Sequence, residues 1–378
     1  SHVVAPDTPK GQMAQHFQQL VQQRSGGRIR VEVYPDSQLY GDDDEMEALR
    51  LGAVELLAPS LSKFGNVGMP EFEVFDLPFL FTNLAQVQRV LQGPVGQQLR
   101  QRLARQQMLG LGFMDNGFKH MSAHRPLRTP TDFAGQRLRV QASRVLVAQM
   151  RAVGAEPVVL PFGDTRRALA SGVVDGTENT LSNFHTQHLA QVQSHLTLTQ
   201  HGYLGYAVVT HLRFWASLSP ADRTLLETAL AEALEQGNRR SAALDQQALQ
   251  RLQHTPGLQV HTLTPAQRAT LRQAAQPVYD TFRRTANTVE DIDFTVRHTG
   301  QNGGRNVAVR NSENAYAELL HFSDGGVVAR FGQNRHRQLT ERFTERMSNI
   351  TQVIGKWQVQ VDSTFRARAD NQIGRAHV

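Results

Sequence analysis

Cysteine is absent from the 378 residues. That excludes a disulfide scaffold, thiolate catalysis and zinc held by sulfur. It fits an oxidising compartment without requiring one. No run of about 18 apolar residues occurs, so the sequence predicts no membrane-spanning helix. Common enzyme motifs are missing too: there is no G-x-x-x-x-G-K phosphate loop, no nucleophile elbow and no H-E-x-x-H. Gly110, Gly112 and Gly117 lack dinucleotide-fingerprint spacing and read as places where a strand packs closely and then turns. Lysine is scarce as well: Lys10, Lys63, Lys119 and Lys356 are the lysines among 40 basic residues. That bias reads as coding composition. No secretory signal is visible, and the chain opens in an apolar run, Val3-Val4-Ala5, without an initiator Met. It reads as a mature or trimmed start.

What is present points to a folded, two-domain chain. Its length suggests about two domains, and 40 % apolar residues can bury substantial cores. The net charge of +6 raises the question of nucleic acid, but the distribution argues against it. Residues 1–296 hold 28 basic and 27 acidic residues, whereas 297–378 hold 12 and 7. The excess belongs to the tail.

Along the first 210 residues strands and helices alternate. Thr8 and Pro9 open a helix carrying Met13, Phe17, Leu20 and Val21 on one face. Ile29, Val31 and Val33 alternate with polar residues as a strand would. A helix ending at Gly52 and a buried strand at 54–58 follow, giving a β-α-β-α-β reading of the first 60 residues. Further on, the pattern predicts helices at 84–106 (broken at Gly93-Pro94), 145–153 and 164–171. It predicts strands at 108–114, 118–123, 137–141, 157–160 (buried), 196–200 and 203–210. Ser219-Pro220 then starts one helical pattern of roughly 34 residues, about 50 Å long. A helix of that length is expected to run along two domains. A strand at 258–263 and a helix at 265–285 complete the regular pattern. In the tail, strands are expected at 327–331 and 357–361 and a helix at 339–347. Residues 373–378 resemble an in-frame sequencing adapter, so 296–378 read as a basic tail of doubtful origin, frameshifted or chimeric and outside the main fold.

Few residues carry a chemical signal on their own. His185 and His188 are three apart, but no carboxylate spacing completes a metal site. Arg137 and Arg139 share one face of an alternating strand. Each can be a structural salt bridge, or an anion receptor whose planar fork matches a carboxylate. Asp175-Gly176-Thr177-Glu178-Asn179 reads as a turn into a helix, with Asn179 and Asn183 on one face. Asn179 either caps that helix or fixes ligand oxygens.

Ordered motifs carry more. The chain opens His2-Val3-Val4-Ala5-Pro6-Asp7-Thr8-Pro9-Lys10-Gly11 and continues with Ala58-Pro59-Ser60 and Phe75-Asp76-Leu77-Pro78-Phe79. Asn116-Gly117-Phe118-Lys119, Arg137-Leu138-Arg139-Val140, Pro161-Phe162, Asp175-Gly176-Thr177-Glu178-Asn179, His201-Gly202-Tyr203 and Trp215 follow. Over about residues 1–290 this resembles the substrate-binding proteins of tripartite ATP-independent periplasmic (TRAP) transporters, of the DctP type.

The resemblance implies an α/β, two-domain periplasmic-binding-protein-like fold with discontinuous domains and a long domain-spanning helix. Domain I would take 1–120 plus 208–250, and domain II 121–207 plus 251–295. It implies a periplasmic receptor for a small organic acid, a C4-dicarboxylate foremost, handed to the membrane permease subunits. No catalysis, cofactor, metal or nucleic acid is implied, and a monomer is expected. Arg139 sits where the family places its carboxylate-selecting Arg. Lys119 stands where a second Arg is frequent, as a point charge without the fork. Asn179 is implied as a ligand-oxygen donor, and Asn183, Ser60, Phe162, Tyr203, Tyr206 and Trp215 as pocket lining. The rival readings are a ligand sensor for a signalling kinase, a carboxylate-processing enzyme, and nucleic-acid binding by the tail.

Overall fold

The computed structural model describes residues 1–286 and, beyond them, four short strands. Thr8 Oγ1 accepts from Gly11 N at 3.1 Å and starts α1 (Pro9–Arg24), with proline at a position whose N–H would be unpaired anyway. α2 (Glu45–Leu51) precedes β1 (Leu56–Leu57). α3 (Leu84–Gln92) and α4 (Pro94–Arg102) divide at Gly93-Pro94 as the sequence predicts. β2 (Met108–Ala123) is followed by α5 (Pro130–Phe133), β3 (Arg137–Val140), α6 (Arg144–Ala152), β4 (Glu156–Val159), α7 (Thr165–Ala170), β5 (Gly176–Asn179) and α8 (Leu181–Thr186). Then come β6 (His195–His211), α9 (Leu212–Ser217), α10 (Pro220–Gln253), β7 (Gln259–Thr262), α11 (Pro265–Ala274) and α12 (Gln276–Ala286).

The sheet explains how two lobes share one framework. Its order is β1-β6-β2-β5-β3-β4, with β7 also on β6. β2 and β6 are antiparallel along almost their whole lengths. At one end they carry β1; at the other they carry β5 and β7. Two long strands therefore pass through both lobes. The sequence pattern splits each of them in two, because β-bulges interrupt the alternation: the register shifts between Gly110 and Gly112, Asp115 and Gly117, and Lys119 and Met121. Gly117 has φ +149°, and a Cβ there would meet the Asp245 carboxylate at 2.6 Å. Only glycine fits that bulge without displacement.

Helices cover both faces of each lobe. Phe64, Phe72, Phe75 and Leu91 form a core on one side of the first lobe; Met13, Phe17, Trp215 and Leu230 form one on the other. The second lobe is built likewise, from Phe133, Leu146 and Met150 on one face and Phe184, Leu196 and Leu252 on the other. α10 has the predicted 34 residues. Its first half packs Leu226, Ala229 and Leu234 into the first lobe and its second half packs Ala248 and Leu252 into the second. Gly237 falls where α10 crosses closest: a Cβ there would sit 3.2 Å from both Met13 and Met114 side chains. Just beyond, Asn238 Oδ1 accepts from Asp115 N at 2.8 Å and Asp245 Oδ1 accepts from Ser182 N at 2.9 Å. The helix thus grips β2 in one lobe and the start of α8 in the other.

Several expectations are corrected. Residues 29–33 are not a strand; they lie along the second core with Val31 O accepting from Gln18 Nε2. Residues 1–4 and 34–37 exchange isolated backbone bonds rather than a ladder, so the opening β-α-β-α-β pattern contributes only β1 to the sheet. β4 is half exposed rather than buried because it is an edge strand. Residues 176–179 are a strand, not a turn, and Thr180, not Asn179, caps α8. The 265–285 helix is two, α11 and α12. In the tail, β8 (Asp293–His298), β9 (Arg305–Arg310), β10 (Tyr316–Glu318) and β11 (Arg330–Gly332) pair into a separate antiparallel sheet. The helix expected at 339–347, the strand at 357–361 and the segment 373–378 lie outside the described residues.

Candidate functional site

β3, β4 and β5 run parallel, so their carboxyl ends open on the same side, where α/β sheets place ligands. Arg139 and Gln141 come from the end of β3, Phe162 follows β4, and Asn179 ends β5 with Asn183 on α8. These five line one cavity. The other lobe closes it with Val3, Val4, Lys10, Asp42, Ser60 and Lys63; Lys119, Glu178, Leu204 and Tyr206 form the rest of the wall. The lobes touch around it. Asp42 Oδ2 accepts from Phe162 N at 2.6 Å, Asn66 Nδ2 donates to Ala142 O at 3.2 Å, and Arg144 Nε meets Glu73 Oε2 at 3.2 Å. Val3 and Val4 pack on Phe162 across the same gap.

Arg139 is 1 % exposed. Its Nε donates to Leu160 O at 2.9 Å, which fixes the guanidinium plane. Its Nη2 has no hydrogen-bond partner and lies 4.0 Å from Asp42 Oδ2. Burial pulls the guanidinium below its ordinary value, against the attraction of Asp42 and Glu178. Ser60 Oγ, Gln141 Oε1, Asn183 Oδ1 and Tyr206 Oη are likewise buried without partners, and all four residues line this cavity. Burial pushes the Tyr206 phenol up; Asn183 lies near enough to favour its ionised form, yet no hydrogen bond closes between them. Buried polar groups are normally paired, so five orphans around one cavity describe a receptor for a polar ligand. Asn183 Nδ2 meanwhile donates to Asn179 Oδ1 at 3.0 Å, and Thr180 N donates to the same oxygen at 2.9 Å. Asn179 Nδ2 remains available to the cavity.

Lys119 differs from its expectation as a second free cation. Its Nζ donates to Glu178 Oε1 at 2.8 Å and lies 3.9 Å from Asp76 Oδ1. Glu178 Oε2 meets His201 Nε2 at 3.1 Å. Burial raises the Glu178 carboxyl, but Lys119 and His201 outweigh it and hold the group at about 2. Lys63 is paired twice, with Asp42 and Glu45; these anions hold its ammonium above the ordinary value despite burial.

Two expected lining residues are elsewhere. Tyr203 stands three positions before Tyr206 on β6, an odd spacing that turns it to the opposite face. It donates to Asp115 Oδ1 at 2.5 Å and packs against Phe75, Phe81 and Phe118. Trp215 lies beyond the end of β6 on α9, in the core under α10. Arg137 is a salt bridge after all: it binds Asp175 at 2.7 Å from a half-exposed position. Arg137→Ala is expected to leave ligand affinity unchanged and to move the melting midpoint little, which a calorimetric titration beside a thermal melt checks. His185 contacts Arg251, and no cluster of three metal-binding groups occurs among the described residues.

Lys10, Asp42, Lys63, Glu178 and Gln141 were not singled out as site residues from sequence. A signal for two of them, Lys10 and Lys63, exists. Three of the chain's four lysines, Lys10, Lys63 and Lys119, line this one cavity. The scarcity of lysine is therefore informative where it is broken.

Comparisons with known proteins agree with this geometry. Residues 1–285 match the family of bacterial extracellular solute-binding proteins, family 7. The C4-dicarboxylate-binding periplasmic protein DctP of Rhodobacter capsulatus is 49 % identical over 281 residues, 74 % of this chain and 84 % of that protein. A TRAP periplasmic solute-binding protein from Shewanella oneidensis, solved with bound succinate, is 44 % identical with a TM-score of 0.73 and covers 75 % of this chain and 92 % of its own. One from Pseudomonas aeruginosa PAO1, with bound L-malate, is 38 % identical with a TM-score of 0.72, covering 74 % and 97 %. The expected two-domain α/β fold and the resemblance drawn from the sequence motifs both hold. The chain belongs to family 7 of the bacterial extracellular solute-binding proteins, the DctP family of TRAP receptors.

Proposed function

We propose that the chain captures a small organic acid, with C4-dicarboxylates foremost, and delivers it to the membrane permease subunits of a TRAP transporter from the periplasm. Arg139 receives one carboxylate as a bidentate pair, and Ser60, Asn179, Asn183 and Tyr206 take the remaining oxygens over the apolar wall of Phe162. The observation that carries this reading is the buried Arg139 Nη2, unpartnered in a cavity it shares with four other unpaired polar groups. A guanidinium held that way is built for an anion that arrives later. The hinge lies where β2, β6 and α10 pass between the two lobes. Closure removes water and strengthens the pair. Binding occurs without chemical change, by a single copy of the chain.

Isothermal calorimetry with succinate, malate, fumarate, monocarboxylates and sugar acids tests this. Succinate or malate is expected to bind most tightly and to be recovered unaltered. Heat from sugar acids alone overturns the C4 preference, and a product in the recovered ligand overturns the receptor reading.

A further inference from the structure

Four cationic side chains line the cavity, and their pairing separates them. Lys63 is held by Asp42 and Glu45, and Lys119 by Glu178. Arg139 and Lys10 are left without a carboxylate in hydrogen-bonding contact. Lys10 belongs to the first turn of α1, where Thr8 and Pro9 fix the backbone, and it is 1 % exposed. Its Nζ donates once, to Ala58 O at 2.9 Å, and stands 3.8 Å over the centre of the Tyr206 ring. An ammonium has three donors, so two are uncommitted here. Tyr206 also presents an unpartnered hydroxyl to the cavity.

We propose that Lys10, in the lobe opposite Arg139, is the second charged receptor of the cavity: it takes the distal carboxylate of a dianion and so selects dicarboxylates over monocarboxylates of the same length. This rests on the carboxylate-binding reading given above. Lys119 is already neutralised by Glu178 and serves to hold that carboxylate in place.

The surroundings of Lys10 give the interaction a second signature. Burial is the largest influence and pulls the free ammonium down to about 7; Lys63 adds to the fall, while Glu45 of α2 and Asp42 oppose it. His2 and the N-terminal amine are further neighbours, the former held neutral by burial near Lys10, and Tyr206 faces the ammonium from β6. A carboxylate arriving beside Lys10 raises it again. Dianion binding then draws a proton from solution at and above neutral pH, and affinity falls as pH rises beyond about 7. A monoanion seated on Arg139 alone takes up none there.

The test compares succinate with butyrate and succinamate by calorimetry in buffers of differing ionisation enthalpy. Wild type is expected to prefer succinate by about 10- to 100-fold and to take up a fraction of a proton at about pH 8 with succinate alone. Lys10→Met, checked for a native melt, is expected to lose the preference and the uptake. Lys10→Arg, which keeps the charge, is expected to retain the preference. A preference that survives Lys10→Met, or that Lys119→Met abolishes in its place, overturns the proposal. So does the absence of proton uptake in wild type, which needs no variant to fold. Failure of wild type to bind any of the three acids overturns the carboxylate reading itself, and this proposal with it.

Discussion

Arg139→Ala is expected to weaken organic-acid binding by about 3–5 kcal/mol, two to four orders of magnitude in Kd, because a ligand carboxylate would be buried without its partner. The size follows from burial: the guanidinium is 1 % exposed, so the pair forms where water screens little. Its direction is fixed by the Nε bond to Leu160 O, which leaves the Nη edge toward the cavity. The ligand-free protein should respond differently. There the same charge lies buried with a carboxylate no nearer than 4.0 Å, so its removal relieves a desolvation cost. Arg139→Met, which keeps the apolar stem, should melt at or above the parent temperature while binding as poorly as the alanine variant. Arg139→Lys keeps the charge but loses the fork and should fall between. Calorimetry and thermal melts of these three variants check the pair of outcomes; wild-type affinity in Arg139→Met sinks the assignment.

The fold was legible where local chemistry and tertiary packing agree. Ser219-Pro220 and the apolar stripe at Leu226, Leu230 and Leu234 define α10 to the residue, because cap and face are both local signals. β2 and β6 were not legible as single strands: bulges at Gly110, Asp115 and Lys119 break the period of two, and only pairing with the partner strand carries the chain across. The extended segment 29–33 alternates like a strand because it packs on a core, yet it has no neighbour to form a ladder with. The site divides in the same way. Arg139 followed from the resemblance and its strand position. Tyr203 and Tyr206 could not be told apart by spacing until the face of β6 was known. Lys10, Asp42 and Lys63 come from three loops and helix starts of the first lobe. They meet only through long-range folding, so no spacing rule links them.

Breaking the pair beneath the cavity is expected to be the largest stability effect. Glu178→Ala should destabilise the protein by about 3–5 kcal/mol, because the Lys119 ammonium would stay buried with Asp76 as its remaining anion at 3.9 Å. Glu178→Gln keeps an oxygen toward Lys119 and should cost about 1–3 kcal/mol. The pH dependence distinguishes charge from shape. Burial would raise the Glu178 carboxyl, but Lys119 and His201 hold it at about 2 in the folded chain, against about 4.3 when unfolded. Its contribution is therefore complete above about pH 4.3 and is lost as the pH falls toward about 2. The stability gap between wild type and Glu178→Gln should close as the pH falls below about 4. His2 and His120, which burial holds down to about 3, also weaken the fold on acidification. They do so equally in both proteins and cancel from the difference. Urea unfolding across this range, without ligand, measures the gap. A gap that does not narrow in acid would mean that Glu178 acts by packing, and that Lys119 is neutralised by some other group.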